Sequence, residues 1–156
     1  MQIQSIAAAE EQTRTLLAAL CQDCGRGDLE VAAPGQETGA PLLLIVDRAA
    51  LLERAPRYPK VLAEHSLRCE PPLPGRALTT YSLSDNGADY TARNLRVTPE
   101  GFTAFEIVGT GCIGRVRLHR LPVGGQNAIL SAVSAAAVCG VPFAEVLQAL
   151  QKRCSG

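Results

Sequence analysis

Hydrophobic positions recur with a helical period in the first part of the chain. Over residues 5–21 the apolar side chains fall on one face of a helix, and the charged side chains lie mostly elsewhere. The adjacent carboxylates Glu10 and Glu11 are interpreted as part of the solvated face and not as a catalytic pair. Residues 22–41 are rich in Gly and Pro, which predicts a loop or linker after this helix.

A short run of apolar residues at positions 42–46 predicts a buried strand that ends at Asp47. Because neither face of this run is polar, the strand is expected to be parallel to its neighbours and covered on both sides. Residues 48–55 predict a helix, which Pro56 limits. Residues 60–66 are interpreted as one or two further helical turns.

The pattern then changes to strands separated by turns. Residues 98–101 have Pro and Gly where a type I turn favours them, which predicts a hairpin. In the last strand Val116 and Leu118 alternate with polar residues, so one face should be buried and the other hydrated. The predicted strands occupy residues 78–83, 90–97, 102–108 and 115–119.

Two amphipathic helices are predicted at the C-terminal end. Apolar residues recur at helical spacing from Ile129 to Ala136, and Gly140 should end that helix. A second apolar stripe begins at Phe143, directly after Pro142. The predicted fold is therefore a single α/β domain over residues 1–156. It combines short parallel strands, an antiparallel β-meander over 78–121 and a helical pair over 125–153.

Charge and hydropathy exclude several partners. Fifteen basic residues balance fifteen acidic ones, so no overall field favours nucleic acid or an anionic membrane. The basic residues Arg115, Arg117, His119 and Arg120 lack interleaved aromatics, so they are interpreted as a hydrated sheet face. No apolar run reaches the roughly 18 residues that span a bilayer. The first residues do not resemble a signal peptide, so we expect a cytoplasmic protein.

The six cysteines are expected to be free thiols, since the sequence shows no sign of secretion. Cys21 and Cys24 have the spacing of half a zinc site or of a redox dithiol. A structural zinc site needs a second pair of ligands, and the remaining Cys and His residues stand alone. A helix end that runs into a Gly-containing loop is the alternative interpretation, and we assign no metal ligands.

The second half of the chain carries the most informative segments. They resemble the C-terminal part of the ATP-binding central domain of the Mur ligase family, the UDP-N-acetylmuramoyl-peptide ligases. The order and spacing of the elements agree over residues 78–152. The segments that carry this resemblance are Asn94-Leu-Arg-Val-Thr-Pro-Glu-Gly-Phe102, Gly114 to Leu121, Pro122-Val-Gly-Gly-Gln-Asn127 and Ala128 to Phe143.

The resemblance implies an ATP-dependent amide-bond ligase of peptidoglycan precursor synthesis. Gln126 stands where the family has His, and Asn127 matches the family's Asn. These two residues are therefore the candidate nucleotide-binding residues, on the adenine side. Leu130 replaces a second Asn of many members, which would remove part of the adenine contact. The alternative is that Gln126 and Asn127 simply cap the following helix.

Catalytic features of the family are missing from the sequence. A phosphate-binding loop needs a Gly-rich backbone followed by Lys and Ser or Thr. Thirteen of the fifteen basic residues are Arg, and neither Lys60 nor Lys152 belongs to such a loop. We assign no catalytic residues and expect a fragment or a degenerate relative of a Mur ligase that is not catalytic by itself.

ATP and Mg²⁺ are therefore expected only in the context of a complete ligase. Partners would then be a nucleotide or other Mur-ligase domains. The alternative function is a non-catalytic interaction module built on a Mur-ligase-like scaffold. A half-domain of this kind would also leave an unpaired strand edge, which predicts a homodimer.

Overall fold

The computed structural model describes residues 2–155, which fold around one eight-stranded mixed sheet. The strands are β1 (Gln4–Ala7), β2 (Leu29–Ala32), β3 (Ala40–Val46), β4 (Lys60–Glu64), β5 (Leu78–Ser82), β6 (Tyr90–Val97), β7 (Thr103–Gly109) and β8 (Cys112–Leu118). The helices are α1 (Glu11–Asp23), α2 (Gly125–Val138) and α3 (Phe143–Arg153), and 3₁₀ helices span Ala49–Arg57 and His65–Leu67. No helix among these residues is long and apolar enough to cross a membrane.

The strands follow the order β2-β1-β3-β4-β5-β6-β7-β8 across the sheet. Neighbours from β2 to β6 are parallel, whereas β6, β7 and β8 are antiparallel. The predicted fold class, with parallel strands, an antiparallel meander and a C-terminal helical pair, is confirmed. β5 pairs with β6 in parallel through Tyr81 and Tyr90, so the antiparallel part begins at β6 and is shorter than the range 78–121.

Hydrophobic residues cover both faces of the parallel part of the sheet. Along β3, Leu43 and Ile45 pack into the larger core with the three α-helices, while Leu44 and Val46 pack into the smaller core on the opposite face. A parallel strand covered on both faces needs apolar side chains at successive positions. This explains the apolar run from which the strand was predicted, and that prediction is confirmed.

The predicted helix over residues 5–21 is wrong at its beginning. Residues 4–7 form β1, and α1 begins at Glu11. Ser5, Ile6 and Ala7 are fully buried between β2 and β3. Sheet pairing therefore overrides a helical period that continues smoothly into these residues. The predicted loop over residues 22–41 is also wrong in part, because it contains β2 and the start of β3.

The helical interpretation of residues 60–66 is likewise wrong. Residues 60–64 form β4, and a 3₁₀ turn follows. Val61, Leu62 and Ala63 are buried between β3 and β5, so burial on both faces decides the conformation of a segment with little local preference. The helix predicted over 48–55 is a 3₁₀ helix that continues through Pro56 to Arg57.

The later elements agree with the sequence pattern. In the predicted turn, the N–H of Thr98 bonds the carbonyl of Phe102 at 2.8 Å, and Gly101 has a φ of 88°. Val116 and Leu118 of β8 are buried, as their alternation with polar residues predicted. Gly140 has a φ of 95° and follows the end of α2. A left-handed Gly at this place is a common way to end a helix.

The starts of α1 and α2 lie against each other. The hydroxyls of Thr13 and Ser131 are 3.1 Å apart in a buried hydrogen bond. A Cβ added to Gly124 would lie 2.8 Å from the Cβ of Gln12 and 2.8 Å from the Cβ of Ala128. A side chain at Gly124 would therefore separate the two helices.

Glu30, on β2, connects the segment before β3 to β1. Its carboxylate accepts hydrogen bonds from the Ser5 hydroxyl at 2.6 Å, the Thr38 N–H at 2.8 Å and the Gly39 N–H at 3.1 Å. The Thr38 hydroxyl also donates to it. The Ser5 bond, followed by those from Thr38 and Gly39, lowers the pKa of Glu30 to about 2.

We expect Gly124→Ala to destabilise the fold more than Gly125→Ala does. Both glycines have positive φ, 93° and 63°, so either change costs about 1–2 kcal/mol of backbone strain. Only Gly124→Ala adds the clash with Gln12 and Ala128, which costs a further ~1–3 kcal/mol. Urea unfolding of the two variants measures the difference. Equal free energies of unfolding would contradict the close helix contact.

We expect Glu30→Gln to lower stability at neutral pH, with a difference from the wild type that shrinks in acid. The folded-state pKa of Glu30, about 2, lies below the ordinary value of 4.5. Its contribution is therefore fully present above the unfolded pKa and is lost as the pH falls through the folded pKa. Urea midpoints from neutral pH to about pH 3 test this sign. A constant difference over this range would contradict it.

Candidate functional site

The carboxyl ends of the parallel strands meet at one edge of the sheet, where ligands bind in open α/β sheets. We call this the carboxyl edge and define it by residues 8–10 after β1, 47–48 after β3, 64–65 at the end of β4 and 82–85 at the end of β5. α1 begins at this edge, and the contact between Gly124 and Gln12 brings the start of α2 to it as well.

The connection from β1 to α1 has three residues, Ala8, Ala9 and Glu10. The N–H of Ala8 extends the sheet by bonding the carbonyl of Ala32 at 2.9 Å. The Arg14 guanidinium, one turn into the helix, donates to the carbonyls of Ala8 at 2.8 Å and Ala9 at 3.1 Å. The connection is thus held by a side chain of its own helix.

Carboxylates and one arginine occupy the space beside this connection. Arg48 donates to both oxygens of Asp47, at 2.9 and 3.0 Å, and to Glu10 at 3.4 Å. The hydrogen bond to Asp47 is the main reason that the pKa of Arg48 lies above its ordinary value. Half of the Arg48 side chain is exposed, so the pair with Glu10 adds little stability. Arg48, Asp47 and Glu10 together form an ion-pair cluster at the carboxyl edge.

This corner has the strand–loop–helix arrangement of a phosphate-binding loop, but its residues do not fit a nucleoside triphosphate. Such a loop needs Gly-rich backbone N–H donors, a Lys, and a Ser or Thr hydroxyl for the metal. Here Glu10 precedes the helix and Glu11 begins it, and the Thr13 hydroxyl is buried against Ser131. Within residues 2–155 no group of three or more His, Cys, Asp or Glu side chains could hold a metal ion.

Sequence reasoning missed this corner because the helix predicted over residues 5–21 concealed β1. The apolar residues Ile6 and Ala7, followed by polar Glu10 to Gln12, were the available signal for a strand that leads into a helix. The signal is short and is compatible with either structure.

A second polar cluster joins β4 to β5 at the same edge. His65 is buried, and its Nδ1 lies 2.9 Å from the Thr80 hydroxyl. Its Nε2 lies 3.6 Å from the exposed carboxylate of Asp85. The Asp89 carboxylate accepts the N–H of Thr80 at 2.9 Å. No pattern in the sequence groups these residues, and their contacts are those of a structural network across two strands.

Gln126 and Asn127, the candidate nucleotide-binding residues, lie in the first turn of α2. Gly124 is the N-cap residue, and no side chain caps this helix, so the capping alternative is not realised. Gln126 lines a cleft of about 320 Å³ between α2, β6, β7 and Leu83, with Asn94 among its walls. Asn127 is exposed and does not line this cleft, and Leu130 is buried in the core. Nucleotide binding by Gln126 and Asn127 remains a prediction.

Cys21 and Cys24 lie at the end of α1, close to α3. All six cysteines are free thiols. Burial raises the pKa of Cys21 to about 11, and the Cys24 thiol donates to the carbonyl of Glu145 at 3.6 Å. Cys24 is the C-cap residue of α1, and Gly25 follows it with a φ of 72°. These contacts agree with the interpretation of Cys21 and Cys24 as a helix end that runs into a Gly-containing loop.

Comparisons with protein-family models and with curated protein sequences find no match. Solved structures do match. A UDP-N-acetylmuramoyl-L-alanyl-D-glutamate--2,6-diaminopimelate ligase matches 97% of this chain with a TM-score of 0.68 and 14% sequence identity. MurF from Acinetobacter baumannii also matches 97% of the chain, with a TM-score of 0.68 and 9% identity.

The chain covers 46% of the first of these proteins and 45% of the second, so it spans about half of their length. At this low identity the match concerns the fold. It agrees with the resemblance that the segments from Asn94 to Phe143 indicated. The chain therefore has a Mur-ligase-like fold.

Proposed function

We propose that this chain is a degenerate relative of the ATP-dependent Mur ligases that does not form amide bonds by itself and instead binds a protein partner. The connection between β1 and α1 carries this proposal. In its place a phosphate-binding protein has glycines and a lysine, whereas this chain has Ala8, Ala9 and Glu10, held by Arg14.

Electrostatics at this corner oppose triphosphate binding. The N-terminus of a helix attracts anions because its free N–H groups and its dipole are positive there. Glu10 and Glu11 already place carboxylates at the start of α1, and Asp47 adds a third nearby. Two like charges about 4 Å apart repel by roughly 1 kcal/mol in water and by more near a protein surface. Arg48 offsets part of this charge, because it pairs with Asp47 and Glu10.

The cleft beside Gln126 supports a second candidate function, the binding of a nucleoside without its phosphates. A Gln amide has both a donor and an acceptor, which can pair with the edge of a purine. The volume of about 320 Å³ is at the lower end of the range of ligand pockets. In this candidate function ATP and Mg²⁺ would act only where other domains supply the phosphate contacts.

The biological setting follows from the same proposal. The solved structures that share the fold are named as ligases of UDP-N-acetylmuramoyl peptides. A partner-binding relative of such enzymes would act beside other Mur-ligase domains, in cytoplasmic peptidoglycan precursor synthesis.

We expect calorimetric titration to show that phosphates add no affinity for this chain. ATP with Mg²⁺ should bind no more tightly than adenosine, because the carboxylates at the start of α1 repel the phosphates. Gln126→Ala should weaken any adenosine binding that is observed. ATP binding at least tenfold tighter than adenosine binding, with a requirement for Mg²⁺, would contradict the proposal.

A double variant tests whether the carboxylates at the start of α1 repel the phosphates. Glu10→Gln with Glu11→Gln should raise the affinity for ATP relative to adenosine, because it removes two negative charges from the start of α1. Glu53→Gln is the control for net charge, since Glu53 is an exposed carboxylate on the 3₁₀ helix over Ala49–Arg57. It removes one charge instead of two, so an equal gain in ATP affinity per charge removed would show only a response to net charge.

A further inference from the structure

The antiparallel strands present one face to the helices and the other to solvent. Phe105, Val116 and Leu118 point into the core, so their neighbours along the strands point outward. The outward face carries four arginines, which we call the arginine face. They are Arg93 and Arg96 on β6 and Arg115 and Arg117 on β8.

The arginine face has more positive charge than its own carboxylates neutralise. Glu106 lies in its centre, 3.0 Å from Arg93 and 3.7 Å from Arg115. Hydrogen bonds from Arg93 and Asn94 hold the pKa of Glu106 below its ordinary value, so it is ionised at neutral pH. Arg117 lies near a second carboxylate, Glu100, so the four guanidinium groups of the face meet two carboxylates. The Arg115 side chain is 89% exposed, which leaves most of its donors to solvent.

The aromatic ring on this face is already covered. The Arg117 guanidinium lies 4.5 Å from the centre of the Phe102 ring, and the His119 ring lies 4.3 Å from it. Binding of single-stranded nucleic acid depends on aromatic faces that are free to stack on bases. The face therefore favours carboxylates, which match the fork of donors on Arg, over nucleobases.

The arginine face borders the open edge of the sheet, because β8 is the last strand. The N–H of Arg117 points away from β7 and donates to the Gln151 side chain at 3.1 Å. Outward and inward groups alternate along an antiparallel strand, so Ile113 and Arg115 also direct their N–H and C=O outward. No backbone group within residues 2–155 pairs with this part of the edge.

We propose that the open edge of β8 binds an extended acidic segment of a partner protein as an additional strand. Backbone groups of Ile113 and Arg115 would pair with the segment, and its alternate carboxylates would face Arg115 and Arg117. Alternate side chains are about 6.6–6.8 Å apart in any strand. The spacing of the segment's carboxylates therefore matches the spacing of Arg115 and Arg117. This inference rests on the proposed partner-binding function and assigns the edge of β8 as the surface that binds the partner.

A second copy of the chain is the less suitable occupant of this edge. Antiparallel pairing of two β8 strands would bring arginines of the two copies close to one another. Like charges on opposite residues destabilise a sheet, and charged edge strands are a common protection against self-pairing. The predicted homodimer is therefore not expected to form through β8.

Fluorescence anisotropy with a labelled synthetic peptide tests the proposal. The probe has about eight residues, with Glu alternating with Val, and the matched probe has Lys in place of Glu. We expect the Glu peptide to bind with an affinity that falls as salt is raised, and the Lys peptide not to bind. Equal binding of both peptides would overturn the proposal.

Three variants separate edge pairing from general charge attraction. Ile113→Pro removes an outward N–H without changing charge, and Arg115→Glu reverses one charge of the face. Each should weaken binding of the Glu peptide at least tenfold. Arg57→Glu is the matched control, because Arg57 is exposed on the 3₁₀ helix, and it should bind like the wild type. Thermal unfolding of each variant confirms that it is folded.

Other results would overturn the inference. One is unchanged binding by folded Ile113→Pro, since attraction to arginines alone would then suffice. Tighter binding of a single-stranded oligonucleotide of equal charge would replace the acidic segment with nucleic acid. A dimer in sedimentation that Ile113→Pro abolishes would assign the edge to a second copy. None of these outcomes decides the proposed function, which the comparison of ATP with adenosine tests separately.

Discussion

The insertion of β1 between β2 and β3 is the constraint on which the rest of the structure depends. β1 has four residues and hydrogen-bonds β2 on one side and β3 on the other. Ile6 and Ala7 are fully buried, one in each of the two hydrophobic cores. The same strand carries Ser5, which holds Glu30 and through it the segment before β3. Because β1 leads directly into α1, its position also fixes where that helix begins.

At the carboxyl edge, the backbone has the arrangement of a phosphate-binding site, but the side chains do not have its chemistry. The strand, the short connection and the helix are placed as in a phosphate-binding site, and the fold matches Mur ligases over 97% of the chain. The side chains at the same place, Glu10, Arg14 and Arg48, bond each other or the backbone. The polar contacts of these side chains are thus made within the chain itself. The fold depends on its two buried cores, and these surface side chains are not part of them.

The two halves of the sheet have different physical roles. The parallel strands are covered on both faces and form the scaffold, so their side chains are largely apolar. The antiparallel strands are covered on one face, and the other is the arginine face, where Arg93 and Arg115 pair with Glu106. With a formal net charge of zero for the whole chain, the positive face is balanced by carboxylates elsewhere, among them Glu10 and Glu11. The net charge of the chain therefore does not describe its surfaces. The arginine face is positive, and the start of α1 is negative.

The sequence by itself determined the elements whose signals are local: the turn at Thr98–Gly101, the alternation in β8, the helices α2 and α3, and the resemblance to Mur ligases. Tertiary structure alone decided that residues 4–7, 29–32 and 60–64 are strands. It also decided that Gln126 lies at a cleft, and that Phe102 lies beneath Arg117. The physical reason is that strands of four or five residues have little conformational preference of their own. Their hydrogen-bond partners and the burial of their side chains come from segments distant in sequence, whereas helices and hairpin turns satisfy their backbone groups within a few residues.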